Sequence, residues 1–204
     1  METNFNMNST QENNGKVSAR IFVTRNIPEV GIKMLRDKGH EVDINPENKI
    51  LSKEELIGEL KKKPYDGVLT LLTDTIDAEV FDAVPTAKIF SNYAVGFNNL
   101  DLTEANNRGI TVTNTPGMSS ESVAEHTVGL ILALANRVVE GDSFMRNGKY
   151  EGFDPMIFWG MDLRGGTFGI LGAGRIGVRV GNILRYGFDM NIIYYDVCRN
   201  VQFE

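Results

Sequence analysis

Cysteine is nearly missing from this chain. Cys198 is the single one among 204 residues, which excludes an intrachain disulfide framework and is compatible with a reducing compartment. Long apolar runs are missing too: no stretch reaches the roughly 18 residues that a spanning helix needs. The first residues lack the charged-then-apolar pattern of a secretory signal, so a cytoplasmic protein with no membrane partner is expected. Excess positive charge is absent as well. A net charge of −6 and a pI near 5.1 argue against nonspecific binding to nucleic acid. Histidine is scarce, with His40 and His126 the only two, and the sequence offers no cluster to assign to a metal.

What remains is an ordinary α/β composition, 42% hydrophobic and 24% charged with 21 glycines, long enough for one or two domains. The rest of the chain is organised around Thr167–Gly177. Thr167 to Leu171 is β-prone and apolar, and Ile176, Val180, Ile183 and Leu184 then recur at helical spacing. Between them lies G-x-G-x-x-G. Gly172 permits the tight turn, Gly174 lets a pyrophosphate approach the backbone, and Gly177 allows close helix–strand packing. The helix start carrying Arg175 and Ile176 offers free N–H groups to an anion. A second predicted strand, Asn191–Tyr195, ends in Asp196, about 20 residues after the last glycine, where ribose hydroxyls need an acceptor. Taken alone, the glycine pattern also fits a plain turn in another α/β protein; strand, turn, helix, strand and acid in order favour a dinucleotide. A carboxylate at 196 repels a 2′-phosphate, which favours NAD over NADP, although Arg199 lies close by.

Upstream, residues 1–16 are rich in Asn, Ser, Thr and Gln and read as a tail that buries too little to order itself. Residues 17–114 then alternate strands and helices. Strands are predicted over Ala19–Thr24, His40–Ile44, Gly67–Leu72 and Lys88–Asn92, with a helix after Pro28 carrying Val30, Ile32, Met34 and Leu35 up to Gly39. Ser52-Lys53-Glu54-Glu55 is a capping box ahead of Leu56, Ile57 and Leu60. Short helices are expected over Ala78–Val84 and Leu102–Arg108. Such alternation implies a doubly wound parallel sheet whose ligand loops follow strand C-termini, here 70–75 and 93–99. Asn98 and Asn99 read as turn and helix-cap residues. Thr115-Pro116-Gly117 reads as a hinge opening residues 115–204, the first part of a nucleotide-binding domain. A single long helix from Ser119 to Arg146, with Ser122 and Glu125 as caps, has an apolar face broad enough to suggest a homodimer.

Four stretches together carry a resemblance: Asn92–Asn99 (NYAVGFNN), Gly109–Gly117 (GITVTNTPG), Val123–Thr127 (VAEHT) and Gly169–Gly177 (GILGAGRIG). The chain resembles the D-isomer-specific 2-hydroxyacid dehydrogenases from about Ala19 onward, most of all the glyoxylate/hydroxypyruvate reductases, with phosphoglycerate dehydrogenases close behind. The resemblance implies two Rossmann- or flavodoxin-like domains, the second incomplete, with an active site in the cleft between them. It implies NAD at the glycine turn and a small 2-hydroxy or 2-keto acid held by backbone N–H groups at Val95 and Gly96, with Leu71 or Leu72 beside it. The plain alternative for Val95-Gly96 is a tight turn. In this family an Arg, a Glu and a His orient and protonate the substrate, and none of the three has a counterpart up to Glu204. His40 reads as a surface residue and His126 as packing or capping, so no catalytic residue is assigned. The expectation is therefore a piece of a longer dehydrogenase. A nucleotide-sensing binding protein, like the corepressors of the same family, and a product without function stand as alternatives.

Overall fold

A computed structural model describes residues 18–204, so the predicted tail over 1–16 lies outside the described residues. The chain divides into two compact units between Pro116 and Gly117.

The first unit carries one parallel five-stranded sheet: β1 (Arg20–Val23), β2 (Glu41–Ile44), β3 (Gly67–Thr70), β4 (Ile89–Asn92) and β5 (Thr111–Thr113), in the order β2-β1-β3-β4-β5. That is the flavodoxin-like strand order, in agreement with the expected doubly wound parallel class. Register explains its core. Phe22, Val68, Phe90 and Val112 stand opposite one another across four strands and share one face, because side chains alternate with a period of two. Onto that face pack Leu56 and Leu60 of α2 (Lys53–Leu60), Val80 and Phe81 of α3 (Ala78–Ala83) and Ala105 of α4 (Leu102–Asn107). Phe81 meets Phe90 edge-on, ring centroids 5.0 Å apart.

Each of these helices starts where its side chains dictate. Ser52 and Glu55 form the predicted capping box on α2, while Asp77 and Asp101 cap α3 and α4. Asn98 and Asn99 form a turn, as expected, but cap no helix, because Asp101 presents its carboxylate to Glu104 N–H. The first helix, α1 (Glu29–Asp37), follows Pro28 and ends before Gly39, whose φ of 90° suits glycine. Of its predicted apolar stripe only Ile32 is buried; Val30 and Met34 face solvent.

The second unit has a two-stranded parallel sheet, β6 (Thr167–Leu171) with β7 (Asn191–Tyr195), and α7 (Arg175–Phe188) between them. The predicted single helix over 119–146 is instead two, α5 (Ser120–Ala135) and α6 (Val138–Arg146). The cause of the break is distant in sequence. Met161 N–H donates to the Ala135 carbonyl, and Arg137 turns left-handed with φ 53°. Gly160 fits beside that carbonyl only because it lacks a Cβ, which would lie 2.2 Å from the oxygen. Neither Ser122 nor Glu125 caps α5, which begins at Ser120 after Ser119 without a side-chain cap. Ala124 and Val128 of α5 pack with Val180 and Leu184 of α7 and with Met190.

Candidate functional site: a glycine turn and a pair of loops

The glycine turn is built as the spacing predicts. Gly172 has φ 98°, a conformation open to glycine, and its N–H donates to Tyr195 O at 2.8 Å. A Cβ on Gly177 would lie 2.1 Å from the Gly172 carbonyl oxygen, so only glycine lets α7 start this close to the strand. A Cβ on Gly174 would meet nothing within 4 Å; glycine there leaves free volume above the helix start. Gly174 is the N-cap of α7, with no side-chain cap and no acid in the first turn. The leading amides of a 14-residue helix thus stay available, at the positive end of its dipole. Arg175 and Ile176, the first two residues of α7, are both exposed; Ile176 lies outside the apolar stripe in which the sequence put it, since the stripe buries only Val180 and Leu184 fully.

Asp196 follows β7 and folds back toward the glycines. Its Oδ2 accepts from Ala173 N–H at 2.7 Å. Asn200, which sequence reasoning passed over, donates from Nδ2 to the Ala173 carbonyl at 2.8 Å. One residue of the turn is thus held from both sides by the segment after β7. An open cleft of about 550 Å³ adjoins it, lined by Ala173, Gly174, Arg175, Arg179, Asn200 and Phe203 among others. The Arg179 guanidinium at its wall is paired with Glu121 at 2.5 Å. Arg199 is paired with Glu204, whose carboxyl it holds down to about 2, so this cation is already engaged next to Asp196.

In the first unit, Leu71 and Leu72 lie past the end of β3 rather than within it, as the strand prediction had them. A turn forms because Asp74 Oδ2 accepts from Leu71 N–H at 2.8 Å while Leu71 O accepts from Asp74 N–H. Asp74 is itself buried and receives the Thr24 hydroxyl at 2.5 Å. Asn99 then staples this turn to the neighbouring loop. Its Nδ2 donates to Leu71 O and Asp74 O, and its Oδ1 accepts from Asn92 Nδ2. Leu72 Cδ2 lies 3.7 Å from where a Gly96 Cβ would stand, so the residues predicted to flank substrate, Leu71, Leu72, Val95 and Gly96, come together at the C-terminal edge of the sheet. Among the described residues, neither Val95 N–H nor Gly96 N–H has a protein acceptor. His40 is at the opposite edge, ahead of β2, where Nδ1 accepts from Ala19 N–H, and His126 is exposed on α5.

The glycine turn, the uncapped helix start and the acid after the next strand thus lie within one unit of a parallel α/β chain. Residues 21–195 match the family described as D-isomer specific 2-hydroxyacid dehydrogenase, catalytic domain, and the chain belongs to that family. A glyoxylate reductase of Thermofilum pendens is 45% identical over 186 residues, which cover 91% of this chain and 54% of that protein. The crystal structure of a Thermus thermophilus protein superposes with a TM-score of 0.83 at 36% identity, covering 89% of this chain and 57% of the other. An NAD⁺-bound 3-phosphoglycerate dehydrogenase of Entamoeba histolytica gives 0.66 at 31% identity, over 91% and 56%. The chain spans about half the length of these relatives. Among the described residues, no helix is long and apolar enough to cross a membrane.

Proposed function

We propose that this chain supplies the NAD-binding turn and the substrate-carboxylate loops of an oxidoreductase acting on small 2-hydroxy or 2-keto acids, glyoxylate or hydroxypyruvate foremost. The observation that carries the reading is the uncapped start of α7 beneath an open Gly174, with Asp196 tethered beside it. Amides of Gly174, Arg175, Ile176 and Gly177 suit a diphosphate, since helix starts favour anions. Asp196 keeps acceptor capacity for ribose hydroxyls beyond its bond to Ala173 and disfavours a 2′-phosphate. When bound, NAD supplies the hydride acceptor or donor; this chain binds and orients. Val95 and Gly96 N–H groups hold the carboxylate, and Leu71 and Leu72 give the acid an apolar wall. Arrangement as a homodimer through the face of residues 119–146 belongs to the same reading, as does a cytoplasmic setting. Leu130, Leu134, Val138 and Val139 are exposed there, and light scattering across a concentration series tests it.

The direct test uses Trp159, the sole tryptophan, which lies in the second unit. Titration with NADH should quench its emission saturably, and NADPH should bind at least about tenfold more weakly, a difference of about 1.4 kcal/mol. An emission spectrum indifferent to both nucleotides sinks the reading. A second reading, a sensor that binds NAD without turnover, is favoured by one observation: within the second unit His126 does not line the cleft at the glycine turn, and within the first His40 lies at the sheet edge opposite the two loops. NADH binding that changes oligomer size, with no glyoxylate reduction, selects it.

A further inference from the structure

We infer that Asn114 and Asn92 are positioning residues which aim three successive backbone amides, Val95, Gly96 and Phe97, in one cradle for a planar carboxylate. The inference rests on the substrate reading above and adds a third donor and the means of holding it. Peptide geometry supplies the reason. A trans peptide is planar, so its C=O and N–H point in opposite directions; fixing the carbonyl of one residue aims the N–H of the next. The described residues contain no cis peptide bond.

Three consecutive carbonyls of this loop are fixed. Thr115 N–H donates to Ala94 O at 2.8 Å. Asn114 Nδ2 donates to Val95 O at 2.8 Å, and Asn92 Nδ2 donates to Gly96 O at 2.9 Å. Each bond pulls a carbonyl toward the protein and turns the following N–H away from it. The N–H groups so turned are those of Val95, Gly96 and Phe97, and among the described residues none of the three has an acceptor. Successive free amides are an anion-binding device in their own right.

The supports are rigid where they need to be. Asn92 is buried in β4, and its Oδ1 takes the Thr70 hydroxyl at 3.0 Å. Its amide faces that of Asn99 head to tail, at 3.0 and 3.4 Å. Asn114 follows β5, next to Thr115, and is only half-buried. Its removal therefore tests aim without dismantling the core.

The experiment uses the ¹⁵N-labelled chain with oxalate as probe. In the wild type the Val95, Gly96 and Phe97 amide signals should move together and saturably. Asn114→Ala should weaken oxalate at least about tenfold and leave the melting temperature within a few degrees, with Asn114→Gln, which keeps a donor, restoring part of the affinity. Without ligand, the order parameter at Gly96 should fall from about 0.85 to below about 0.6 in Asn114→Ala. Unchanged order at Gly96 in Asn114→Ala, or oxalate shifts confined to Val95 and Gly96, overturns the inference. Loss of order without any oxalate binding to the wild type leaves the positioning intact and defeats the substrate reading instead.

Discussion

The two units bury themselves to different degrees. In the first, Phe22, Val68, Phe90, Phe81 and Leu60 are all at most 2% exposed, and buried polar groups such as Thr24, Asp74, Thr70 and Asn92 find partners. In the second, one face of β6 and β7 stays open, with Leu171 90% and Tyr195 70% exposed, while Phe168, Ile170 and Ile192 pack inward. One sheet has five strands and the other two, so the second leaves strand edges and a face without cover. Stability should therefore reside in the first unit and ligand-dependent change in the second. The segment proposed to bind is the one with least to hold it.

The sharpest way to break this contrast is Phe90→Ala. A buried aromatic cut to alanine costs about 3–5 kcal/mol. Amide exchange at β3 and β4 should accelerate accordingly while Trp159 emission keeps its urea midpoint; a common shift in both would deny the units separate stability. Next comes Gly177→Ala. Its Cβ would collide with the Gly172 carbonyl, so α7 must back away at a cost of about 1–3 kcal/mol, and NADH affinity should fall between about fivefold and 100-fold. Calorimetry of the first unit's transition should not register it. Ser52→Ala removes one cap bond and should lower stability by about 1 kcal/mol, seen as faster exchange at Glu55 and Leu56.

The smallest effect is that of pH. Lys63 holds the Asp43 carboxyl below its ordinary value, and although desolvation opposes this, the Tyr65 hydroxyl adds to it. A carboxylate depressed on folding adds stability that is present above its unfolded value of 3.8 and fades as pH drops through the folded one. With Asp43 partly exposed, solvent screening keeps the contribution small. Asp43→Asn should flatten the acid limb of the first unit's stability slightly; an unchanged limb would mean that the Lys63 pair does nothing.

Much of this was legible because local rules sufficed. Capping by Ser52 and Glu55, the stop at Gly39 and the glycine turn each depend on residues a few positions apart. The parallel sheet followed from alternation alone. What escaped were features decided by distant chain. Nothing near Ala135 announces a helix break; the cause is Met161 N–H, arriving from beyond α6. The bond from Ala173 N–H to Asp196 is another, since it depends on how β7 closes on the turn. Asn99 does lie in a turn, but its role as a staple escaped because it needs Leu71 and Asp74 in place.

The placing of β1 bears on how the chain is made. It leaves the ribosome ahead of its sheet partners, yet it is internal, flanked by β2 and β3. Both of its neighbours are parallel partners reached across helices, so no hairpin can capture it early. Until Thr70 has emerged, Phe22 and Val23 remain an uncovered sticky segment, and slow non-local pairing of this kind lengthens that interval. Nascent chains halted before that point should seek chaperones, and those halted after β4 should no longer need them.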